Sequence, residues 1–150
     1  MDYNACLELH RELVYRLKRE LTFYRSLFVL VERQREAAER GAEAEIALHY
    51  GELSTIMGGL SESQFAIHAM REKEPDLFER ASRIAPVPEL VKEASDILTA
   101  AHESLTQGTR AARMHYRKLQ AELGRLGREH EAVHAYKKTT PSGQFLNGTR

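Results

Sequence analysis

LELHRELVYRLKRELTFYRSLFVLV, residues 7–31, decides the architecture. Within it Leu7, His10, Val14, Leu17, Leu21, Tyr24, Phe28 and Val31 follow alternating steps of three and four, the spacing of a helix seam that faces another helix. Only His10 interrupts the apolar series. Leu9, Leu13, Phe23, Leu27 and Leu30 flank it, so the apolar stripe is wider than a two-stranded coiled coil needs. A helix with such a stripe touches two neighbours, which predicts a bundle.

Working outward, the pattern stops at Gly41 after a charged, Ala-rich stretch, read as the top of a helical hairpin in preference to a tight turn. The second helix is predicted from about Glu43 to Glu74, with Ile46, Tyr50, Leu53, Met57, Leu60, Gln64, Ile67 and Arg71 in its seam. Gly51, Gly58 and Gly59 fall inside it and are read as places of close helix approach or a local bend; a phosphate loop would need a preceding strand. Pro75 suits a first helical turn, so Pro75–Ile84 reads as a short extra helix that Pro86-Val87-Pro88 ends.

The third long helix is expected from Pro88 to about Tyr136. Its seam is Val91, Ala94, Leu98, Ala101, Leu105, Gly108, Ala112, His115, Leu119, Glu122, Leu126, Glu129, Val133 and Tyr136, strong at first and thinner later. At about 70 Å against about 50–60 Å for the first helix, its far end is expected to project beyond the bundle. The predicted fold is thus all-α: an elongated, coiled-coil-like antiparallel bundle of three long helices, with a short helix before the third. Residues 1–136 form the bundle domain. Residues 137–150, polar, without periodicity and holding Pro141 and two Gly, form a flexible tail in which Phe145-Leu146 is an incidental pair or a short docking element.

The charges exclude little but are unevenly spread. The whole chain has 22 basic and 22 acidic residues, so no global excess points to nucleic acid or an anionic membrane. Residues 32–80 hold 11 acids against 6 bases, whereas 101–150 hold 9 bases against 4 acids. Arg110, Arg113, Arg117 and Lys118 cluster around His115 and Tyr116; a solvated face, or one set against the acidic second helix, explains them better than a duplex. The first residues lack the flank and apolar run of a secretory signal, and no stretch approaches membrane-spanning length, which predicts a cytoplasmic protein without stable membrane insertion. Cys6, alone, reads as a small apolar helix residue.

One string resembles chemistry. His130-Glu131-Ala132-Val133-His134 is an H-E-x-x-H, in which two imidazoles a helical turn apart share a zinc ion while the carboxylate deprotonates its water. A third ligand is required, and the 16 residues after His134 contain no Asp, Glu, His or Cys. His10, His49, His68, His102 and His115 occur singly, no Ser, Cys or Lys has an activating neighbourhood, and a zinc hydrolase is the remote alternative. The chain is expected to bind rather than catalyse, with no cofactor.

The hairpin at Glu39-Arg40-Gly41, the Ile56-Met57-Gly58-Gly59-Leu60 stretch, and a long third helix closing in Tyr136 before Ser142-Gly143-Gln144 resemble the FlgN-type flagellar export chaperones. The resemblance implies a cytoplasmic chaperone that captures the C-terminal segments of hook–filament junction proteins, prevents their premature assembly and delivers them to the export gate. It further implies substrate binding at Leu119, Leu123, Leu126 and Val133, and gate docking at Tyr136. Capture of an unfolded amphipathic tail by an exposed apolar helix face is physically sound, and Tyr136 joins an apolar ring to a polar tip. A structural coiled-coil scaffold is the alternative, with a homodimer as one form of it.

Overall fold

Among the described residues, 2–139 of the computed structural model, five helices and no strand are found: α1 Asp2–Glu39, α2 Glu43–Leu48, α3 Tyr50–Lys73, α4 Pro75–Ser82 and α5 Val87–Thr139. No helix among these residues is long and apolar enough to cross a membrane. The chain divides into two compact units, residues 1–111 and 112–150.

In the first unit α1 is the spine. It supplies Leu13, Leu21, Tyr24, Leu30, Val31, Ala37 and Ala38, seven of the eleven buried apolar residues among those described. The wide stripe predicted for this helix is buried or half-buried throughout, whereas Tyr3, Tyr15 and Val29 lie off it and are exposed. Asp2 in the first turn favours the positive end of the helix dipole. At the other end Gly41 takes φ 70°, which a side chain tolerates poorly. Its N–H bonds the Ala38 carbonyl at 3.1 Å and Ala42 N–H bonds that of Ala37 at 2.8 Å, the paired closure that stops a helix and turns the chain.

Helix α3 packs on α1 in opposite direction, for as the α1 partner advances from Glu20 to Tyr24 to Arg33 the α3 side falls from Ser63 and Gln64 toward Glu52. Two predicted features of this arm are corrected. His49 interrupts the single helix expected over 43–74, giving α2 and α3. Tyr50, Met57, Gln64 and Arg71 are exposed, and the inward line is Leu53, Ile56, Leu60, Ser63, Ile67 and Met70. The phase was misread because one inward residue is the polar Ser63, while large Tyr50 and Met57 face out.

Gly59 shows why a glycine sits in α3: a Cβ there would lie 2.4 Å from the Phe23 ring, so the ring packs directly on helix backbone. Gly51 and Gly58 meet nothing and have no such role. Pro75 opens α4, whose Ala81 is fully buried, and α4 packs on α1; the helix ends at Ser82 rather than Ile84. His10 proves useful where it breaks the seam, since its Nε2 donates to the Ala85 carbonyl at 3.0 Å and ties α1 to the α4–α5 turn.

Within this unit the first part of α5 also packs on α1. Arg25 pairs with Glu93; Phe28, Glu32 and Arg35 share a cleft with Ala100, Ser104 and Gln107; and a Cβ on Gly108 would come within 3.2 Å of the Arg35 Cα. The two numbers rise together, so these helices run in the same direction. The predicted α5 seam is corrected in part: Ala94, Ala101 and Gly108 turn inward with Leu90, Ile97 and Ser104, but Val91, Leu98 and Leu105 are exposed. Small residues let α5 approach α1 closely, which leaves the larger side chains of the expected seam outside.

The second unit begins at Ala112, and its described residues are the remainder of α5, which runs to Thr139 rather than Tyr136. None of its side chains from Ala112 to Lys137 is buried. The remainder of the predicted tail, residues 140–150 with Ser142-Gly143-Gln144 and Phe145-Leu146, lies outside the described residues.

Candidate functional site

In the second unit, helical geometry gathers the predicted binding residues. Leu119 and Leu123 are four apart, Leu123 and Leu126 three, Leu126 and Val133 seven, so all four share one face. They are 47, 59, 48 and 53 % exposed, an apolar stripe about half open to solvent. Tyr136, 71 % exposed, is three residues beyond Val133 and adjoins the stripe at its C-terminal end. Tyr116 extends it at the other end, three residues before Leu119 and 58 % exposed. The sequence had placed Tyr116 only in a basic cluster, although its spacing to Leu119 and Leu123 was the available signal.

From Tyr116 to Tyr136 the stripe is about 30 Å long. That is enough for a partner helix of five to six turns. Around it the charge is basic: residues 112–150 contain 8 Lys and Arg against 3 Glu. Arg125 holds Glu129 at 3.1 Å and Glu122 at 3.8 Å along the same helix, exposed pairs of the kind that contribute a few tenths of a kcal/mol each.

His130, Glu131 and His134 are all exposed, and no group of three metal-ligating residues exists among the described residues. His130 and His134 lie one helical turn apart on one face of α5, with no third ligand beside them among the described residues. Cys6 is half-buried on α1, as a small apolar residue would be. Neither feature supports chemistry.

The first unit holds a second surface that the sequence reading missed. Between α1 and α5 lies an open groove of about 560 Å³, lined by Leu17, Leu90, Val91, Ala94 and Leu98, with Glu20, Tyr24, Ser95, Thr99 and His102 as its polar groups. Val91 and Leu98, 51 and 40 % exposed, form its outer wall. Glu20 is only 8 % exposed. Tyr24 Oη donates to Glu20 Oε1 at 2.5 Å, Ser63 Oγ donates to Oε2 at a long 3.4 Å, and Gln64 Nε2 donates to Tyr24 Oη at 3.3 Å. Burial, and then the bond to Glu20, push the Tyr24 hydroxyl up to about 12, since ionising it would place two anions together. A charged residue between Leu17 and Leu21 was the signal for this site.

Comparison with known protein families, with curated proteins and with solved structures gives no match.

Proposed function

We propose that this chain is a cytoplasmic flagellar type III export chaperone that binds the C-terminal segments of hook–filament junction proteins, keeps them from premature assembly and delivers them to the export gate. The observation that carries the reading is the exposed stripe Leu119, Leu123, Leu126 and Val133 on a stretch of α5 in which no described side chain, from Ala112 to Lys137, is buried. An unfolded amphipathic segment gains from such a face by laying its apolar residues along it as a helix, burying surface neither partner buries alone. In this reading Tyr136 contacts the gate, no catalytic residue or cofactor takes part, and within residues 1–111 α1, α2–α3 and the first part of α5 form a three-helix bundle in which α3 runs antiparallel to the other two. The resemblance in the hairpin and in the third helix supports the choice of client.

Calorimetric titration with the C-terminal segments of hook–filament junction proteins tests it. Saturable binding that Leu126→Glu abolishes is expected; no binding at tens of micromolar would sink the reading. A second reading is favoured by the seven-residue spacing of Leu119, Leu126 and Val133, which suits a self-associating coiled coil. Light scattering separates the two. A stable oligomer unaffected by any client segment would mark a scaffold.

A further inference from the structure

We propose that the groove between α1 and α5 in the first unit is a second docking site, and that its occupant is a basic amphipathic helix of a protein partner, with leucines toward Leu17, Val91 and Leu98 and a Lys or Arg toward Glu20. Three observations lead there. The groove lining is largely apolar, with Ser95, Thr99 and His102 its polar positions on α5, where it extends from Leu90 to His102, about 18 Å, or three turns of an added helix.

Its floor holds an under-partnered anion. A carboxylate offers about four acceptor positions. Glu20 receives one short bond from a hydroxyl and one long one, and no Lys, Arg or His nitrogen pairs with it among the described residues. A buried charge is costly unless paired, so a cationic nitrogen entering the groove gains more from Glu20 than from an exposed acid. An acidic or uncharged apolar helix gains nothing there and leaves the carboxylate further desolvated.

The wider field has the same sign. Residues 1–111 hold 19 acids against 14 bases, so the unit attracts a basic segment and repels an acidic one before contact. The site is separate in residues and in charge from the stripe at Leu119–Val133, and it stands whether or not that stripe binds export clients.

The test uses the full chain and two designed helices with identical leucine spacing, one flanked by Lys and one by Glu, plus a scrambled Lys peptide of the same charge. Because the protein has no Trp, one Trp in each peptide reports binding directly by fluorescence. The Leu–Lys helix is expected to saturate at one per chain, with the Leu–Glu and scrambled peptides at least about tenfold weaker. Glu20→Gln, which keeps the shape and a hydroxyl acceptor, is expected to weaken the Leu–Lys helix about tenfold and flatten its salt dependence. Leu98→Ser, at an exposed wall position that does not threaten the fold, is expected to weaken it comparably and keeps the test decisive if Glu20→Gln fails to fold. Leu126→Glu is expected to leave this binding unchanged while removing client binding. Equal binding of the Lys and Glu helices, or Leu–Lys binding indifferent to Leu98→Ser, would overturn the proposal.

Discussion

The two units use the same helical grammar for opposite ends. Residues 1–111 hide their apolar residues against one spine helix and carry an excess of acid; residues 112–150 hide none of their described side chains and carry an excess of base. An apolar stripe on a helix therefore does not say by itself whether it is core or interface. What decides it is whether a complementary face exists within the same unit. Leu13 and Leu30 are buried against one, whereas Leu119 and Leu126 stay about half exposed among the described residues.

Truncation is the strongest way to break the comparison. Leu13→Ala or Leu30→Ala, at 2 % exposure, is expected to cost about 2–5 kcal/mol through lost burial and an unfilled cavity. The chemically identical Leu123→Ala, at 59 % exposure, is expected to change stability by no more than about 0.5 kcal/mol. Urea denaturation followed by circular dichroism reads both. Equal losses at the two positions would mean that Leu123 has a hidden intramolecular partner.

Next comes the polar floor of the first unit. Tyr24→Phe removes the hydroxyl that donates to Glu20 and is expected to cost about 1–3 kcal/mol, the range for leaving a buried polar group short of a partner. The sign with pH follows from the raised hydroxyl. The folded state holds the proton more tightly than the unfolded chain, so Tyr24 contributes stability that is complete below pH 10 and is lost as pH rises from 10 toward about 12. The stability gap between the native chain and Tyr24→Phe should shrink across that window. A gap that widens would refute the assigned hydrogen bond.

How far the sequence could be read follows the same division. Long helices, the hairpin at Gly41, the wide stripe of α1 and the short helix at Pro75 were legible because each is dictated by local spacing or backbone chemistry. The inward faces of α3 and α5 were legible only in part: Leu53, Leu60, Ile67, Ala94, Ala101 and Gly108 were read as inward and are, but Gly59 and Ser63 also pack there, and a search for large apolar side chains adds Met57, Val91 and Leu98, which face out. Leu119, Leu126 and Val133 could be listed from spacing, but how far they are exposed depends on what packs against them, which no local pattern records. The groove at Glu20 was hidden for the complementary reason, because a glutamate beside an apolar seam reads as solvated until its neighbours are in place.

A smaller effect sharpens the contrast at the glycines of the first unit. Gly59→Val must displace the Phe23 ring from the α3 backbone and is expected to destabilise by about 1–3 kcal/mol. Gly58→Ala, one residue away and facing open space, is expected to stabilise by up to about 1 kcal/mol by improving helix propensity alone. Thermal melts of the two variants should move in opposite directions. A shift of the same sign in both would show that the ring does not rest on Gly59.

The smallest effect lies in the second unit, where Gly124 and Gly127 sit within α5 and a Cβ at either meets nothing. With no packing to oppose it, Gly→Ala at each is expected to change only the local helix–coil balance, by roughly 0.8–1 kcal/mol toward helix. Global unfolding is dominated by the buried first unit, so the gain should appear mainly as slower amide exchange near Leu123 and Leu126, with little change in the main melting transition. If these glycines instead let the helix loosen so that its stripe adapts to a client, the double substitution should alter client affinity even though neither residue belongs to the apolar face. Unchanged affinity together with slower exchange would mean that the stripe binds as a preformed helix, and the role of the second unit would then rest on its side chains alone.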